Sequence, residues 1–386
     1  MLMDNFICDN CHNGNFSYSY EAVGSSRGVK VYICDDCGLL QSFPRIAHVK
    51  DRPRKVTSGA AWGNVRYGKG FITEKSVNII SQFIDLNNID NLCDIGANRG
   101  SFINQISILF PKLKIIAIEP DTRVVEDYEK NENLEMIFER VENVSLQANS
   151  IDFIYSAHTI EHLESPFNTL KQSRKWIKPD GLCYFEVPNT YFIESKDIIE
   201  EFFIDKHTFH YTPTTFENLI ELSGFEVVEG GTFISNDNIT FICKPSEKKE
   251  TSIDYEHSIK MKSVMKNYES SMQKNISDLV KVSKILEDLC AEKDVAFWGA
   301  GRIFDSIVVN GGFNPSHLSC LVDKELPKYI DKMHNKPVQF PSELRKLHPE
   351  IIVIASRTYK DEIVKEASEM GLKAEILYYG DLFKDL

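Results

Sequence analysis

Residues 90–121 constrain the fold of this chain more than any other stretch. Leu92, Cys93 and Ile95 spell a short buried strand, and Asp94, Gly96 and Gly100 fall where that strand gives way to a helix starting near Ser101. Glycine is needed where the backbone turns sharply and a ligand must approach without a Cβ in the way. The amide N–H groups that open the new helix then face whatever lies above the strand. Phe102, Ile103, Ile106, Leu109 and Phe110 give the helix an apolar face, and Pro111 ends it. A second buried strand, Ile115–Ile118, is capped by Glu119, 25 residues after Asp94. A carboxylate at that place in a doubly wound fold holds the two hydroxyls of a ribose.

The pattern Asp-x-Gly-x-x-x-Gly lacks the tight glycine pair that lets a pyrophosphate approach. It also puts an acid at the strand end, which repels phosphate and suits a cationic or amine-bearing ligand. The stretch resembles the first motif of class I S-adenosylmethionine-dependent methyltransferases, and Glu119-Pro120-Asp121 is similar to their second. That resemblance implies an α/β, Rossmann-like domain. It also implies that Asp94, Gly96, Ala97, Asn98, Gly100, Glu119, Pro120 and Asp121 contact S-adenosyl-L-methionine.

Composition narrows the partners. The chain has 386 residues, enough for two or three domains, with 42% hydrophobic and 26% charged residues. A formal charge of −13 with no lysine or arginine run argues against nucleic acid as the main partner, because phosphate backbones need a basic face. No apolar run approaches the roughly 20 residues of a membrane span, and the N-terminus has no signal-peptide layout. The expected location is cytoplasmic.

Cys8-x-x-Cys11 and Cys34-x-x-Cys37 form two knuckles separated by 22 residues. Four thiolates so arranged suit a structural, tetrahedral Zn²⁺ with no open position. Phe16, Tyr18 and Tyr20 alternate, as do Val29, Val31 and Ile33, so a hairpin is expected between the pairs, giving a small zinc ribbon over residues 1–56. Disulfides and free thiols are the alternatives, and a catalytic zinc would need His12 to replace a cysteine.

Residues 57–245 carry the rest of the methyltransferase-like pattern. Trp62, Tyr67 and Phe71 lie among glycines ahead of an apolar helix over about 73–83, and Tyr67 is the candidate there for contact with cofactor or acceptor. A helix over Thr122–Lys130 and a third strand, Leu134–Phe138, follow. Within the resemblance, Val141 lies where adenine is held, and Ala157 and His158 lie where the chain passes beneath the methyl donor. The strand Ser150–Ser156, the helix Leu170–Ile177, a turn at Lys178-Pro179-Asp180-Gly181 and the strand Leu182–Val187 come next. The helix Phe216–Ser223 and two antiparallel strands, Phe225–Glu229 and Thr240–Cys243, complete the region.

Ligands bind beyond the carboxyl ends of parallel strands, which singles out His158, Glu161, His162, Asn189, Asp205, Lys206, His207 and His210. Methyl transfer from a sulfonium needs an oriented acceptor and removal of a proton. Histidine titrates near neutral pH and suits that removal. His207 is the first candidate base, with His162 and His210 as alternatives.

Over nearly its whole length the chain resembles zinc-ribbon-containing C-methyltransferases of nucleotide-linked deoxysugars. The resemblance implies a sugar-nucleotide or related glycan-precursor acceptor. In that family a Tyr-x-Glu-His element lies where this chain has Ile204-Asp205-Lys206-His207. The histidine matches; Ile204 and Lys206 replace tyrosine and glutamate, which leaves methylation at carbon or oxygen open.

A polar linker and one or two charged helices are expected over 246–290. Residues 291–386 read as a smaller Rossmann-like domain, with Val295–Trp298 entering Gly299-Ala300-Gly301-Arg302. Arg302 is a candidate phosphate contact, and a purely architectural role is the alternative. For the chain as a whole, the rival to an enzyme is an idle methyltransferase-fold scaffold.

Overall fold

The structure, a computed structural model, describes residues 6–21, 28–43, 70–194, 202–203, 207–231, 237–247, 254–328, 330–356 and 359–383. Tyr67 and Ile204, Asp205 and Lys206 lie outside the described residues. The described residues up to 267 form one compact unit, and 268–383 form a second.

The first unit opens with β1 (Phe16–Glu21), β2 (Lys30–Cys34) and β3 (Leu40–Phe43), an antiparallel set that includes the expected hairpin. Then come α1 (Gly70–Ile80), β4 (Asn91–Ile95), α2 (Ser101–Leu109), β5 (Lys114–Ile118), β6 (Leu134–Ile137), β7 (Ile151–Ala157), α3 (Pro166–Trp176) and β8 (Ile177–Pro188). The short β9 (Phe209–His210), α4 (Pro213–Leu222), β10 (Phe225–Gly231) and β11 (Asn238–Pro245) follow. Seven strands pair in the order β10-β11-β8-β7-β4-β5-β6. The strands from β8 to β6 run parallel, and β11 and β10 return antiparallel at the edge. Parallel strands covered on both faces must be apolar throughout, and Leu92, Cys93, Ile115, Ala117, Phe153 and Ile154 are all buried.

β9 leaves the large sheet and pairs with β3, with Leu40 opposite His210 and Gln41 opposite Phe209. Cys8, Cys11, Cys34, Cys37 and Leu39 share one apolar core with Phe167, Trp176, Phe209, Tyr211 and Phe216. The cysteine-bearing segment is therefore built into the unit that holds the seven-stranded sheet. Asn10 donates to the Thr215 carbonyl at 2.7 Å. Asp9 caps α3 from outside that helix, accepting from Phe167 N at 2.7 Å and from Ser165 Oγ at 2.6 Å.

Two elements differ from the sequence expectation. Thr122–Asp127 is a 3-10 turn and not an α-helix, in a stretch where Thr122, Val124 and Val125 are β-branched and weak helix formers. Lys178–Gly181 does not separate helix from strand but lies inside β8, as an excursion between the pairs Ile151–Ile177 and Phe153–Leu182. The charged region after the linker, expected as one or two helices, is a single one, α5 (Tyr255–Glu292), of 38 residues.

In the second unit α5 supplies Leu279, Val282 and Leu286 to a core with Phe297, Phe304, Ile307 and Phe313. Its other elements are β12 (Val295–Trp298), α6 (Arg302–Val309), β13 (Cys320–Val322), β14 (Lys332–Met333), β15 (Lys336–Gln339), α7 (Leu344–Leu347), β16 (Ile351–Ile354), α8 (Lys360–Glu369) and β17 (Glu375–Tyr378). The sheet order is β14-β15-β13-β12-β16-β17, parallel except for β14.

The Asp9 cap yields a stability test. Removing a carboxylate that accepts from a helix-opening N–H and a serine hydroxyl costs about 1–3 kcal/mol. Asp9→Ala should lower the unfolding free energy measured in urea by that amount, and an unchanged value would show that the cap contributes nothing.

Candidate functional site

β4 has β5 on one side and β7 on the other, and the chain leaves these two neighbours in opposite directions along the sheet. Such a reversal opens a crevice beyond the carboxyl ends of the strands. Two groups of residues meet it there.

The first group lies after β4 and β5. Gly96 has φ +84°, and a Cβ on it would stand 1.9 Å from Thr159 Oγ1. Gly100 has φ +72°, and a Cβ would meet the Tyr128 ring at 2.7 Å. Both positions demand glycine, as the sequence implied. Gly96 and Ala97 both donate to the Ile118 carbonyl, at 2.9 and 3.2 Å, tying the loop to the end of β5. Glu119 is buried and accepts from Asn98 N at 2.9 Å and Asp121 N at 2.8 Å. Asp94 is also buried, and that burial, with Glu119 nearby, pushes its carboxyl well above the usual range. Val141 is buried at the start of a 3-10 turn whose neighbours Arg140 and Glu142 pair at 2.8 Å.

The second group lies after β7 and β8. Ala157 ends β7, and His158 follows with φ 53°. His158 Nε2 stands 3.2 Å from Glu186, and its Nδ1 stands 3.7 Å from Glu161. Burial pulls the His158 pKa down, but Glu161 and Glu186 outweigh it and push it up to about 10. His158 is therefore an imidazolium at neutral pH, a donor and not a base. Glu186 accepts from Tyr184 Oη at 2.7 Å and Thr240 Oγ1 at 2.9 Å. Burial raises Glu186, while His158, Tyr184 and Thr240 bring the net shift below the usual value.

Glu161 and His162 sit in a 3-10 turn at Ile160–His162. Thr208 N donates to the Glu161 carbonyl at 2.9 Å, which brings His207 to the same place. The His162 and His207 rings are 4.9 Å apart. Glu161, His162 and His207 offer ligand-capable atoms that all lie within 4.8 Å of one another. Asn189 is buried at the end of β8, accepting from Tyr191 N at 3.1 Å.

His210 behaves differently from its sequence assignment as an alternative base. It is 2% exposed on β9, with Nε2 2.6 Å from Ser42 Oγ. Burial, and then the neighbouring His162, lower its pKa to about 3. It is a neutral group that fixes the strand.

Glu186 was not singled out in the sequence. Its signal was there: one charge inside the apolar run Cys183-Tyr184-Phe185-Glu186-Val187 of a central strand.

Elsewhere in the first unit, Cys8 and Cys37 Sγ are 3.5 Å apart, as are Cys11 and Cys34 Sγ, and all four thiols are free and buried. Thiolates sharing a tetrahedral ion at bonds of about 2.3 Å stand roughly 3.8 Å apart, so the set fits such an ion. His12 packs edge-on against Phe167 at 4.6 Å, and the four candidate ligands are all cysteines.

Residues 66–230 match the methyltransferase domain family. This stretch is a class I S-adenosylmethionine-dependent methyltransferase domain. The malonyl-[acyl-carrier protein] O-methyltransferase of Halalkalibacterium halodurans is 28% identical over 110 residues, covering 26% of this chain and 41% of that protein. The ribosomal RNA small subunit methyltransferase G of Aster yellows witches'-broom phytoplasma is 32% identical over 93 residues, 22% of this chain and 43% of that protein. The match thus spans about two fifths of the length of these curated relatives. The plantazolicin methyltransferase BpumL in complex with SAH is 16% identical with a TM-score of 0.40, covering 47% of this chain and 86% of that one.

His210 yields a pH test. The unfolded chain binds its proton below about pH 6.5, whereas the folded chain takes it up only near 3. Between those values the unfolded state holds one more proton, so stability falls as pH falls, by up to about 1.4 kcal/mol per pH unit. His210→Gln should flatten the loss measured by urea unfolding between pH 6.5 and 5. A slope equal to that of the wild type would refute the assignment.

Proposed function

We propose that the chain transfers a methyl group from S-adenosylmethionine to a small-molecule acceptor held beside His158, Glu161, His162 and His207. The supporting observation is the meeting of a glycine loop and buried acid with a histidine–carboxylate cluster at one strand-end crevice. S-adenosylmethionine supplies an already activated methyl carbon. Gly96, Ala97, Asn98 and Gly100 give it a close-fitting loop, Glu119 accepts from its ribose hydroxyls, and Pro120 and Asp121 extend that wall. Asp94 faces its amine end, Val141 meets the adenine, and Ala157 and His158 lie under the donor. His158, held cationic by Glu161 and Glu186, places a positive charge beside the acceptor. Proton removal falls to the His162–His207 pair, and Tyr67 belongs to the same proposal as a wall of the acceptor pocket.

For the acceptor we propose a nucleotide-linked sugar or a related glycan precursor, following the resemblance to the sugar methyltransferases. The four-cysteine cluster holds a structural Zn²⁺ in this reading. Its thiols share a core with Phe209 and Tyr211, so the ion would fix the segment that carries His207.

Three tests follow from these assignments. Glu119→Ala should weaken S-adenosylhomocysteine binding about 10²- to 10⁴-fold by calorimetry, since each of two hydrogen bonds to a charged group is worth about 1.5–3 kcal/mol. His207→Ala should cut turnover about 10²–10⁴-fold while leaving that affinity intact; loss of both together would make His207 a loop-fixing residue. Protein purified without chelator should carry zinc, and Cys8→Ser with Cys37→Ser should remove one equivalent and lower Tm. Wild-type protein free of zinc would end the structural-ion assignment.

A further inference from the structure

We propose that Glu161, His162 and His207 bind a divalent first-row cation that holds the acceptor through two adjacent oxygens. Glu161 is 1% exposed, and among the described residues neither of its carboxylate oxygens accepts a hydrogen bond. A buried carboxylate left so is costly unless a cation meets it. His162 Nε2 stands 3.6 Å and His158 Nδ1 3.7 Å from its Oε1, both beyond hydrogen-bond length. Even fully protonated, His158 offsets only one of the two carboxylates, Glu161 and Glu186, that face it.

The ligand set is of the right kind. Two imidazoles and one carboxylate bind zinc, manganese and iron while leaving positions open for substrate. The three donors lie within 4.8 Å of one another. Ligands sharing an ion at about 2.0–2.2 Å stand roughly 3.0–3.5 Å apart, so the donors would close by about an ångström. The scaffold fixes two of them by backbone: Glu161 and His162 share one 3-10 turn, and the Thr208 amide ties the His207 segment to it.

The site rests on the proposed methyl transfer and changes one step of it: with His162 and His207 as ligands, the ion lowers the pKa of the acceptor hydroxyl and takes the place of the histidine pair in proton removal. An acceptor with a hydroxyl beside a second hydroxyl or a carbonyl would chelate the ion, and its hydroxyl would lose a proton to solvent near neutral pH. That oxygen then attacks the methyl carbon. The O–C bond forms, the C–S bond breaks, and its electron pair stays on sulfur, giving a methyl ether and S-adenosylhomocysteine. This selects oxygen over carbon as the methylated atom.

The experiment is equilibrium dialysis of the full chain against Zn²⁺ or Mn²⁺ with metal analysis, alongside calorimetry with S-adenosylhomocysteine. The wild type should hold one ion beyond any retained by the four cysteines. Glu161→Gln and His207→Asn should each weaken that ion at least tenfold, with Tm checked to confirm folding. If the wild type takes up neither ion beyond the cysteine equivalent, or if both folded variants bind as the wild type does, the site is refuted and the cluster acts as a metal-free acid–base group. Failure to bind S-adenosylhomocysteine would overturn the methyl-transfer reading separately.

Discussion

The peptide of Thr208 joins the parts of the first unit that matter most. Its N–H donates to the Glu161 carbonyl at 2.9 Å, and its C=O accepts from Ser42 N at 2.8 Å. Ser42 belongs to β3, two strands' pairing away from β1, while Glu161 belongs to the turn after β7. One residue thus couples the cysteine-bearing sheet to the histidine–carboxylate cluster. Ser42 Oγ also holds His210, so β9 is pinned by main chain and side chain together. A surface loop of this length would ordinarily be mobile. Here strand pairing converts residues 207–211 into part of the core, with Phe209 and Tyr211 fully enclosed.

That architecture sets the electrostatics of the crevice. Asp94, Glu119, Glu161 and Glu186 are all buried at the carboxyl ends of the central strands. Helix N-termini at the same edge offset part of this charge, and backbone amides take up Glu119. Glu186 is held by Tyr184, Thr240 and His158. Asp94 answers the shortage of cations by a raised pKa. A sulfonium or ammonium group entering such a site meets a field already arranged for positive charge, which a dinucleotide phosphate would not.

Much of this was legible in the sequence where local rules decide. The β4–α2–β5 segment, with Gly96, Gly100 and Glu119, follows from strand, turn and helix signals inside 30 consecutive residues, and the structure has it in place. The paired cysteine knuckles were equally plain. What failed depended on distant partners. Lys178–Gly181 carries every mark of a turn, yet pairing with β7 on either side makes it an excursion within a strand. His210 looks like His207 in the sequence; only the pairing of β9 with β3 buries one and leaves the other partly open. Glu186 becomes significant once β11 brings Thr240 beside it.

The acid at the end of a second strand shows why a motif alone cannot assign a role. In the first unit Glu119 bridges the loop after β4, through Asn98 N, and its own loop, through Asp121 N. In the second unit Asp323 does the same work at the end of β13. It accepts from Ala300 N at 3.1 Å in the loop after β12, and from Glu325 N at 2.9 Å in its own. Gly299 there has φ +115°, and a Cβ would stand 2.7 Å from the Ala355 carbonyl, so packing alone requires glycine. In both units the carboxylate first ties two loops together, a task any βαβ turn poses. Asp323 accepts from Leu326 N as well, at 3.0 Å, and what distinguishes the units is the surroundings. Near Glu119 lies a second buried acid, Asp94, and across β4 a histidine cluster follows β7 and precedes β9. The functional reading of the first unit therefore rests on that convergence and not on the acid, and the same acid in the second unit is accounted for by the fold.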